Sequence, residues 1–357
     1  MRHQEFENKK TKASILSMKS KLVISLMCLL PCVNLGCQVP DRNTNISSIS
    51  LTKGSHCYTV PATSGLNLST IFDRSGFKLP DSDVNSTEVN WLILNGDKHS
   101  FFNGVGRYGN CTGTLIDSSE LATAPAYVIT NGHCVSTSLI SESGVLLNQP
   151  EDSSKRMIFH YYKGFTSETV EIVRNKEITF ASMDQTDAAI VELNITLTEL
   201  KAKGICPFKI SASKPATAQK VQVVGVPLTG MNASNYGLRL SNCQIGETVA
   251  IREGNYSFPV SFRHRCSIVG GSSGSPVFET ETYSIVGLVN TAVEDSALNN
   301  ENCTLSKPCE VSSGGEISIN TDDNYGQTIE YLSGCFDELG VFNHELNSCG
   351  VKTKFGI

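Results

Sequence analysis

Short apolar runs separated by turn residues dominate the chain from Trp91 onward. Gly, Asn, Asp and Ser fill the intervals, and each run has the length and β-branched content of a strand. A helical periodicity of 3.6 residues is sustained only over Tyr325 to Leu332, which predicts one late helix. The strand-sized runs are WLIL, CTGTLI, AYVIT, RMIFHYY, VEIV, AAIVEL, VQVVGV, FPVSF, SPVF, SIVGLV and ISI. Many short strands and one C-terminal helix predict an all-β barrel or sandwich.

The N-terminal part of the chain has a different pattern. Met18 precedes two lysines, an apolar run from Leu22 to Val33 and a small-residue exit, which is the order of a secretory signal. We therefore expect residues 1–37 to be a signal peptide, with Met18 as the alternative start. A buried helix is the other interpretation of the run, which is too short to span a bilayer. No transmembrane span is predicted.

The chain after this apolar run has three parts: a cleavage site, a spacer and a folded domain. The sequence from Asn34 to Cys37 resembles a bacterial lipoprotein cleavage box, which would place a lipid anchor on Cys37. Residues 38–90 are rich in Ser, Thr and Asn and predict a spacer or pro-segment. Residues 91–357 then form the folded domain.

Charge and cysteine content narrow the function classes. The net charge is -6 and the pI about 5.7, with no basic cluster, so neither nucleic acid nor an anionic membrane surface is an expected partner. Thirteen cysteines, an even number of them beyond Cys37, predict disulfides and an exported protein. The sequence has no HExxH motif, no paired metal-ligand spacing and no dinucleotide-type glycine loop, so no metal or organic cofactor is expected.

Two motifs could supply a catalytic base and its carboxylate. His133 ends the run AYVITNGHC, and a disulfide from Cys111 to Cys134 would fix the loop that holds it. Asp187 opens the run TDAAIVEL and could point into the barrel interior. Taken singly, such a histidine is more often a surface or capping residue, and such an aspartate could cap its own turn.

A glycine-rich turn, GGSSGSPVFE, supplies the candidate nucleophile. Its glycines allow successive N–H groups to face one side, as a tetrahedral oxyanion requires. A serine hydroxyl needs a base within hydrogen-bond reach, itself held by a carboxylate. The chain order His133, Asp187, Ser273 differs from the Ser-acid-His order of α/β-hydrolases and from the Asp-His-Ser order of subtilisins.

At this point the sequence resembles the chymotrypsin-like serine proteases, and in particular a bacterial secreted branch related to glutamyl endopeptidases. CTGTLI, VITNGHC, DAAIVEL and GGSSGSPV carry the resemblance. It implies two packed six-stranded Greek-key β-barrels with the site between them. It also implies Ser273 as nucleophile, His133 as general base, Asp187 as its orienting carboxylate, and the N–H groups of Gly271 and Ser273 as oxyanion hole.

Departures from that family bear on activation and specificity. Ser272 stands where animal members carry the aspartate that senses zymogen cleavage, so activation by that route is not expected. The resemblance places Ser267 near the base of the substrate pocket and Asn290, Thr291 and Ala292 on its wall. Ser267 carries no charge and Val289 replaces the wall histidine of glutamyl endopeptidases. We therefore expect an uncharged pocket for a small or apolar side chain.

Further disulfides follow from cysteine positions as hypotheses. They are Cys243–Cys266, Cys303–Cys309, Cys335–Cys349 and, by exclusion, Cys57–Cys206.

The predicted function is a secreted or surface-anchored bacterial endopeptidase that acts on polypeptides through an acyl-enzyme. A catalytically silent relative used for binding or adhesion is the alternative, because a fold does not guarantee chemistry.

Overall fold

The structure is a computed structural model that describes residues 91–135, 144–293, 303–305 and 307–357. The predicted signal peptide, the Cys37 anchor and the spacer over residues 38–90 lie outside the described residues. None of the helices in the described ranges has the length and apolar character needed to cross a membrane.

Sixteen strands and three short α-helices make up the described chain. The strands of the first half are β1 Leu92–Ile93, β2 Val105–Tyr108, β3 Cys111–Ile116, β4 Pro125–Thr130, β5 Val145–Gln149, β6 Arg156–Phe159, β7 Glu171–Ser182 and β8 Ala188–Thr196. Those of the second half are β9 Lys220–Gly225, β10 Arg239–Glu253, β11 Tyr256–His264, β12 Pro276–Glu279, β13 Ile285–Thr291, β14 Cys309–Val311, β15 Ile317–Ser318 and β16 Asn324–Thr328. The α-helices are α1 Gly96–His99, α2 Leu197–Ala202 and α3 Val351–Phe355, and 3₁₀ turns cover Ser100–Gly104, Gly132–Cys134, Ala233–Asn235 and Glu330–Leu332.

Each half of the chain closes into an antiparallel ring of six strands. The first follows the order β7-β6-β2-β3-β4-β8 and closes through β7 with β8, with β5 added beside β7. The second follows β11-β16-β13-β12-β9-β10 and closes through β10 with β11, while β1 and β14 also pair with β10. The predicted all-β fold of two six-stranded barrels is confirmed.

The helix predicted over Tyr325 to Leu332 is wrong. These residues form β16, which pairs with both β11 and β13, followed by a 3₁₀ turn. Tyr325 is fully buried, and a Cβ added to Gly326 would lie 2.3 Å from the Phe262 ring. Pairing on both edges and close packing outweigh the local apolar pattern. The C-terminal helix is instead α3.

After β16 the chain returns to the first barrel. Tyr331, Phe342 and Phe355 surround the ring of Phe180, whose side chain is fully buried in β7. The C-terminal segment therefore packs aromatic side chains against the first barrel.

Four disulfides stabilise the described chain, and they join pairs expected from the sequence: Cys111–Cys134, Cys243–Cys266, Cys303–Cys309 and Cys335–Cys349. Cys206 is also disulfide-bonded, and its predicted partner Cys57 lies outside the described residues.

Candidate active site

The turn that carries His133 is fixed from two sides. β4 is almost entirely buried and delivers the chain to the 3₁₀ turn Gly132–Cys134, while the Cys111–Cys134 disulfide ties this turn to β3. A Cβ added to Gly132 would lie 2.1 Å from the carbonyl oxygen of Ser182, so only glycine allows this approach to β7. The imidazole therefore sits on a braced element.

Asp187 holds this histidine through two hydrogen bonds. Its Oδ1 accepts the backbone N–H of His133 at 2.9 Å, and its Oδ2 lies 2.6 Å from the ring Nδ1. The carboxylate is 1% exposed, and the Asn131 side chain donates to the Asp187 carbonyl oxygen. Because an ionised carboxylate only accepts hydrogen bonds, Nδ1 carries the proton, and Nε2 of the neutral ring is an acceptor.

The surrounding charges raise the pKa of His133 above its ordinary value of 6.5. Partial burial lowers the pKa, but the negative charge and hydrogen bond of Asp187 raise it, and Glu253 raises it further. Lys155, whose ammonium donates to the Cys134 carbonyl oxygen, acts in the opposite direction. The net effect favours the imidazolium that proton abstraction from a nucleophile would create.

Ser273 lies in a turn anchored to both barrels. The Thr112 N–H in β3 donates to the Ser273 carbonyl oxygen at 2.8 Å, and the Gly274 N–H donates to the Val289 carbonyl oxygen at 3.0 Å. Gly274 has a φ of +78°, and a Cβ there would lie 2.4 Å from the Thr112 carbonyl oxygen. These contacts make the turn rigid, and Ser273 lines the same cavity as His133 and Asp187.

One peptide of this turn has a defined orientation. The Gly270 carbonyl oxygen accepts the N–H groups of Leu228 and Thr229 at 2.8 and 2.9 Å. Because a trans peptide directs its C=O and N–H to opposite sides, the Gly271 N–H points away from these two residues. In the described part of the chain, neither this N–H nor that of Ser273 donates to a backbone carbonyl. Ser273 lines the cavity, whereas Gly271 is not among its lining residues.

Ser272 uses its hydrogen bonds locally. Its N–H donates to the Val269 carbonyl oxygen at 2.9 Å, and its hydroxyl accepts the Val269 N–H at 3.4 Å. The side chain is 3% exposed. This buried position is therefore filled by a neutral hydroxyl that closes its own turn.

The cavity at these residues has a volume of about 280 Å³. Asn290, Thr291 and Ala292 line it, and Ser267 is not among its lining residues. The Ser267 N–H instead donates to the Ser241 hydroxyl at 2.8 Å, which fixes this residue against β10. The remaining lining residues are Met183, Glu253, Tyr256, Ile268, Val269, Gly270, Ser272, Val289 and Leu305.

Glu253 is the lining residue that the sequence pattern missed most clearly. It ends β10 and is 8% exposed, and its Oε2 accepts the Thr291 hydroxyl at 2.6 Å. The turn "EGNY" between two polar stretches was a hairpin signal, but it gave no indication that the hairpin would reach His133.

Among the residues that the structure describes, two groups of histidine and cysteine are close enough together to be considered as metal ligands. They are Cys111, His133 and Cys134, and Cys243, His264 and Cys266, with ligand atoms within 4.8 Å of one another. In both groups the two sulfurs are joined in a disulfide, so neither can supply the thiolate that binds metal.

Comparison with known protein families matches part of this chain to one family. Residues 111–288, from β3 into β13, match the trypsin-like peptidase domain family. The comparison with curated proteins gave no match. The glutamyl endopeptidase branch is not confirmed and stays a prediction.

Several solved protease structures are also similar to this chain. The active form of the Rv3671c protease from M. tuberculosis is 14% identical, over 76% of this chain and 95% of that one, with a TM-score of 0.41. Protease Anisep from Arthrobacter nicotinovorans is 14% identical over 63% and 87%, and the MamO protease domain from Magnetospirillum magneticum is 11% identical over 65% and 94%, both with a TM-score of 0.39. Residues 111–288 are therefore the part of this chain that matches the trypsin-like peptidase domain family, and β2 and β16, on either side of this range, complete the two closed barrels.

Proposed function

We propose that this protein is an exported serine endopeptidase in which Ser273, His133 and Asp187 act as the catalytic triad. The observation that carries the proposal is the carboxylate of Asp187, which holds both the backbone and the ring of His133 in the cavity that Ser273 lines. A base with a fixed tautomer beside a serine on a rigid turn is the arrangement that acyl transfer requires.

In the proposed reaction the Ser273 hydroxyl oxygen attacks the carbonyl carbon of a peptide bond, and Nε2 of His133 accepts the hydroxyl proton. The N–H groups of Gly271 and Ser273 stabilise the oxyanion, which lowers the barrier by about 3 kcal/mol per donor. The imidazolium then gives its proton to the leaving amine, and water hydrolyses the acyl-enzyme by the same steps. Asp187 stays ionised throughout and stabilises the imidazolium.

The pocket next to Ser273 favours an uncharged side chain at the scissile bond. The cavity that Ser273 lines includes the apolar side chains of Ile268, Val269 and Val289. None of the residues that the sequence predicts for the primary pocket, Ser267, Asn290, Thr291 and Ala292, carries a charge that would select a charged side chain. Small or apolar residues are therefore the proposed primary specificity.

Export is supported by the disulfides of the described chain, which persist in oxidising compartments. Attachment to a bacterial membrane surface through Cys37 is the accompanying proposal.

Hydrolysis of unfolded casein by the purified, matured protein tests the function. We expect new amino termini to accumulate with the wild type and to fall by at least 10³-fold with Ser273→Ala. Ser284→Ala, a half-buried serine in the β12–β13 turn, is the matched control and should keep wild-type activity. A folded wild-type protein that releases no peptides would favour the silent binding module instead.

A further inference from the structure

The β10–β11 hairpin forms one side of the candidate cleft. Glu253 and Tyr256 face each other across its two-residue turn, in which Gly254 has a φ of +60°. Both residues line the cavity with His133 and Ser273. The Glu253 carboxylate is oriented by the hydroxyl of Thr291, which belongs to the opposite wall strand β13. The hairpin thus places a carboxylate held by Thr291 in the cavity that Ser273 lines.

A small disulfide loop extends this side of the cleft. Strand β14 pairs with Ala250–Arg252 of β10, and the Gly254 N–H donates to the Cys303 carbonyl oxygen at 2.6 Å. The Cys303–Cys309 disulfide closes the loop, whose Leu305 is 67% exposed and lines the cavity. An apolar surface made by Leu305 and Tyr256 therefore continues to the Glu253 carboxylate.

Among the described residues, the formal charges that line the cavity have one sign. They are the carboxylates of Asp187 and Glu253, and no described lysine or arginine lines it. Asp187 is bonded to His133 and Glu253 to Thr291, and Glu253 is the one of the two acids that lies on the hairpin. Such a site attracts cations and repels the side chains of aspartate and glutamate.

We propose that Glu253, Tyr256 and Leu305 form a subsite for the side chain of an arginine or lysine residue that flanks the scissile bond. This inference rests on the proposed endopeptidase function and adds a second specificity to the uncharged primary pocket. The long aliphatic stem of a basic residue packs against Leu305 and the Tyr256 ring, while its cationic head reaches the carboxylate. A guanidinium forms the stronger pair because its fork matches a carboxylate.

Cleavage of a proteome-derived peptide library tests the subsite. We expect wild-type cuts to be enriched in arginine and lysine at one position flanking the bond. For the best peptide, replacing that arginine with citrulline, which keeps its length without its charge, should lower kcat/KM about tenfold or more. Glu253→Gln keeps an acceptor for Thr291, and it should bring the ratio of kcat/KM for the arginine peptide to that for the citrulline peptide close to one. Glu253→Lys should shift the preference at this position toward acidic residues. Glu281→Gln removes an exposed charge outside the cavity and should change nothing.

A binding experiment distinguishes the proposed subsite from the proposed endopeptidase activity. The same library passed over immobilised Ser273→Ala should leave arginine and lysine peptides retained, and Ser273→Ala with Glu253→Gln should lose that retention. Failure of the wild type to cut any peptide, with retention still dependent on Glu253, would overturn the endopeptidase and keep the subsite. Cuts without a basic preference at any flanking position, or a preference unchanged in Glu253→Gln, would overturn the subsite.

Discussion

The Asp187 carboxylate binds His133 twice, through the backbone N–H at 2.9 Å and through Nδ1 at 2.6 Å. The first bond fixes the position of the residue and the second fixes the orientation and tautomer of its ring. Since Asp187 immediately precedes β8, which lies next to β4 and β7 in the first barrel, closure of that barrel sets the geometry of the site. The proposed chemistry therefore depends on one buried acid.

Asp187→Asn tests this dependence. The amide oxygen can still accept the His133 backbone N–H, but an amide nitrogen facing Nδ1 would drive the ring proton to Nε2. The base then cannot accept the Ser273 proton, and kcat should fall by roughly 10⁴-fold. Steady-state kinetics with a peptide substrate measure this effect, and unfolding curves verify the fold. A folded variant with more than a tenth of wild-type kcat would contradict the assigned role.

The pH dependence of kcat/KM reports the pKa of His133. The neutral imidazole is the active base, and its pKa lies above 6.5. Activity should therefore rise with pH along a limb whose midpoint exceeds 6.5.

Glu253→Gln should move this limb to lower pH. The variant removes a negative charge that favours the imidazolium, so the pKa of His133 falls and the neutral base persists into more acidic solution. A substrate without charged side chains separates this effect from substrate recognition. Glu281→Gln is the control for a general change of charge. A limb unmoved in Glu253→Gln, or shifted upward, would argue against the electrostatic contact with His133.

Gly271→Ala tests the orientation of the oxyanion turn. Gly271 has a φ of +100°, and an added Cβ would lie 2.6 Å from the Val226 carbonyl oxygen, so the turn must shift. We expect kcat to fall 10²- to 10³-fold while the barrels stay folded. Gly315→Ala places alanine at a φ of +81° with nothing within 4 Å of its Cβ, and it should keep full activity. Equal activity of the two variants would contradict the assignment.

His264 should make the protein sensitive to acid. Burial lowers its pKa from 6.5 to about 4, and its side chain is 1% exposed. Between these values the unfolded chain binds a proton that the folded chain does not, so stability is lost as the pH falls from 6.5 toward 4. The loss amounts to about 3 kcal/mol.

Urea unfolding at several pH values measures this loss. His264→Asn retains an acceptor for the Cys266 N–H and should be less dependent on pH across this window than the wild type. If the free energy of unfolding changes with pH by the same amount in both proteins, His264 does not titrate as inferred.

The sequence pattern predicted those strands of the barrels that are apolar along their length. β3, β4, β8, β9, β12 and β13 are buried along most of their length, so their residues form visible apolar runs. The motifs that bring His133, Asp187 and Ser273 together lie at the ends of such strands or immediately beside them.

The sequence pattern did not predict strands that are defined by pairing with neighbouring strands rather than by burial. β10 is polar over much of its length and is held by β1, β9, β11 and β14, so it produced no apolar run. Glu253, at its end, was missed for the same reason. The position of Ser267 near the pocket base rests on motif matching and stays a prediction; its N–H donates to Ser241 on β10.

Covalent labelling by a fluorophosphonate, with intact-mass measurement and peptide mapping, tests the central claim most directly. We predict one phosphonyl adduct per molecule of matured wild-type protein, located on Ser273, no adduct with Ser273→Ala, and strongly slowed labelling with Asp187→Asn. A folded, matured wild-type protein that stays unlabelled, or an adduct on Ser272 or Ser275, would contradict the assignment of Ser273 as nucleophile.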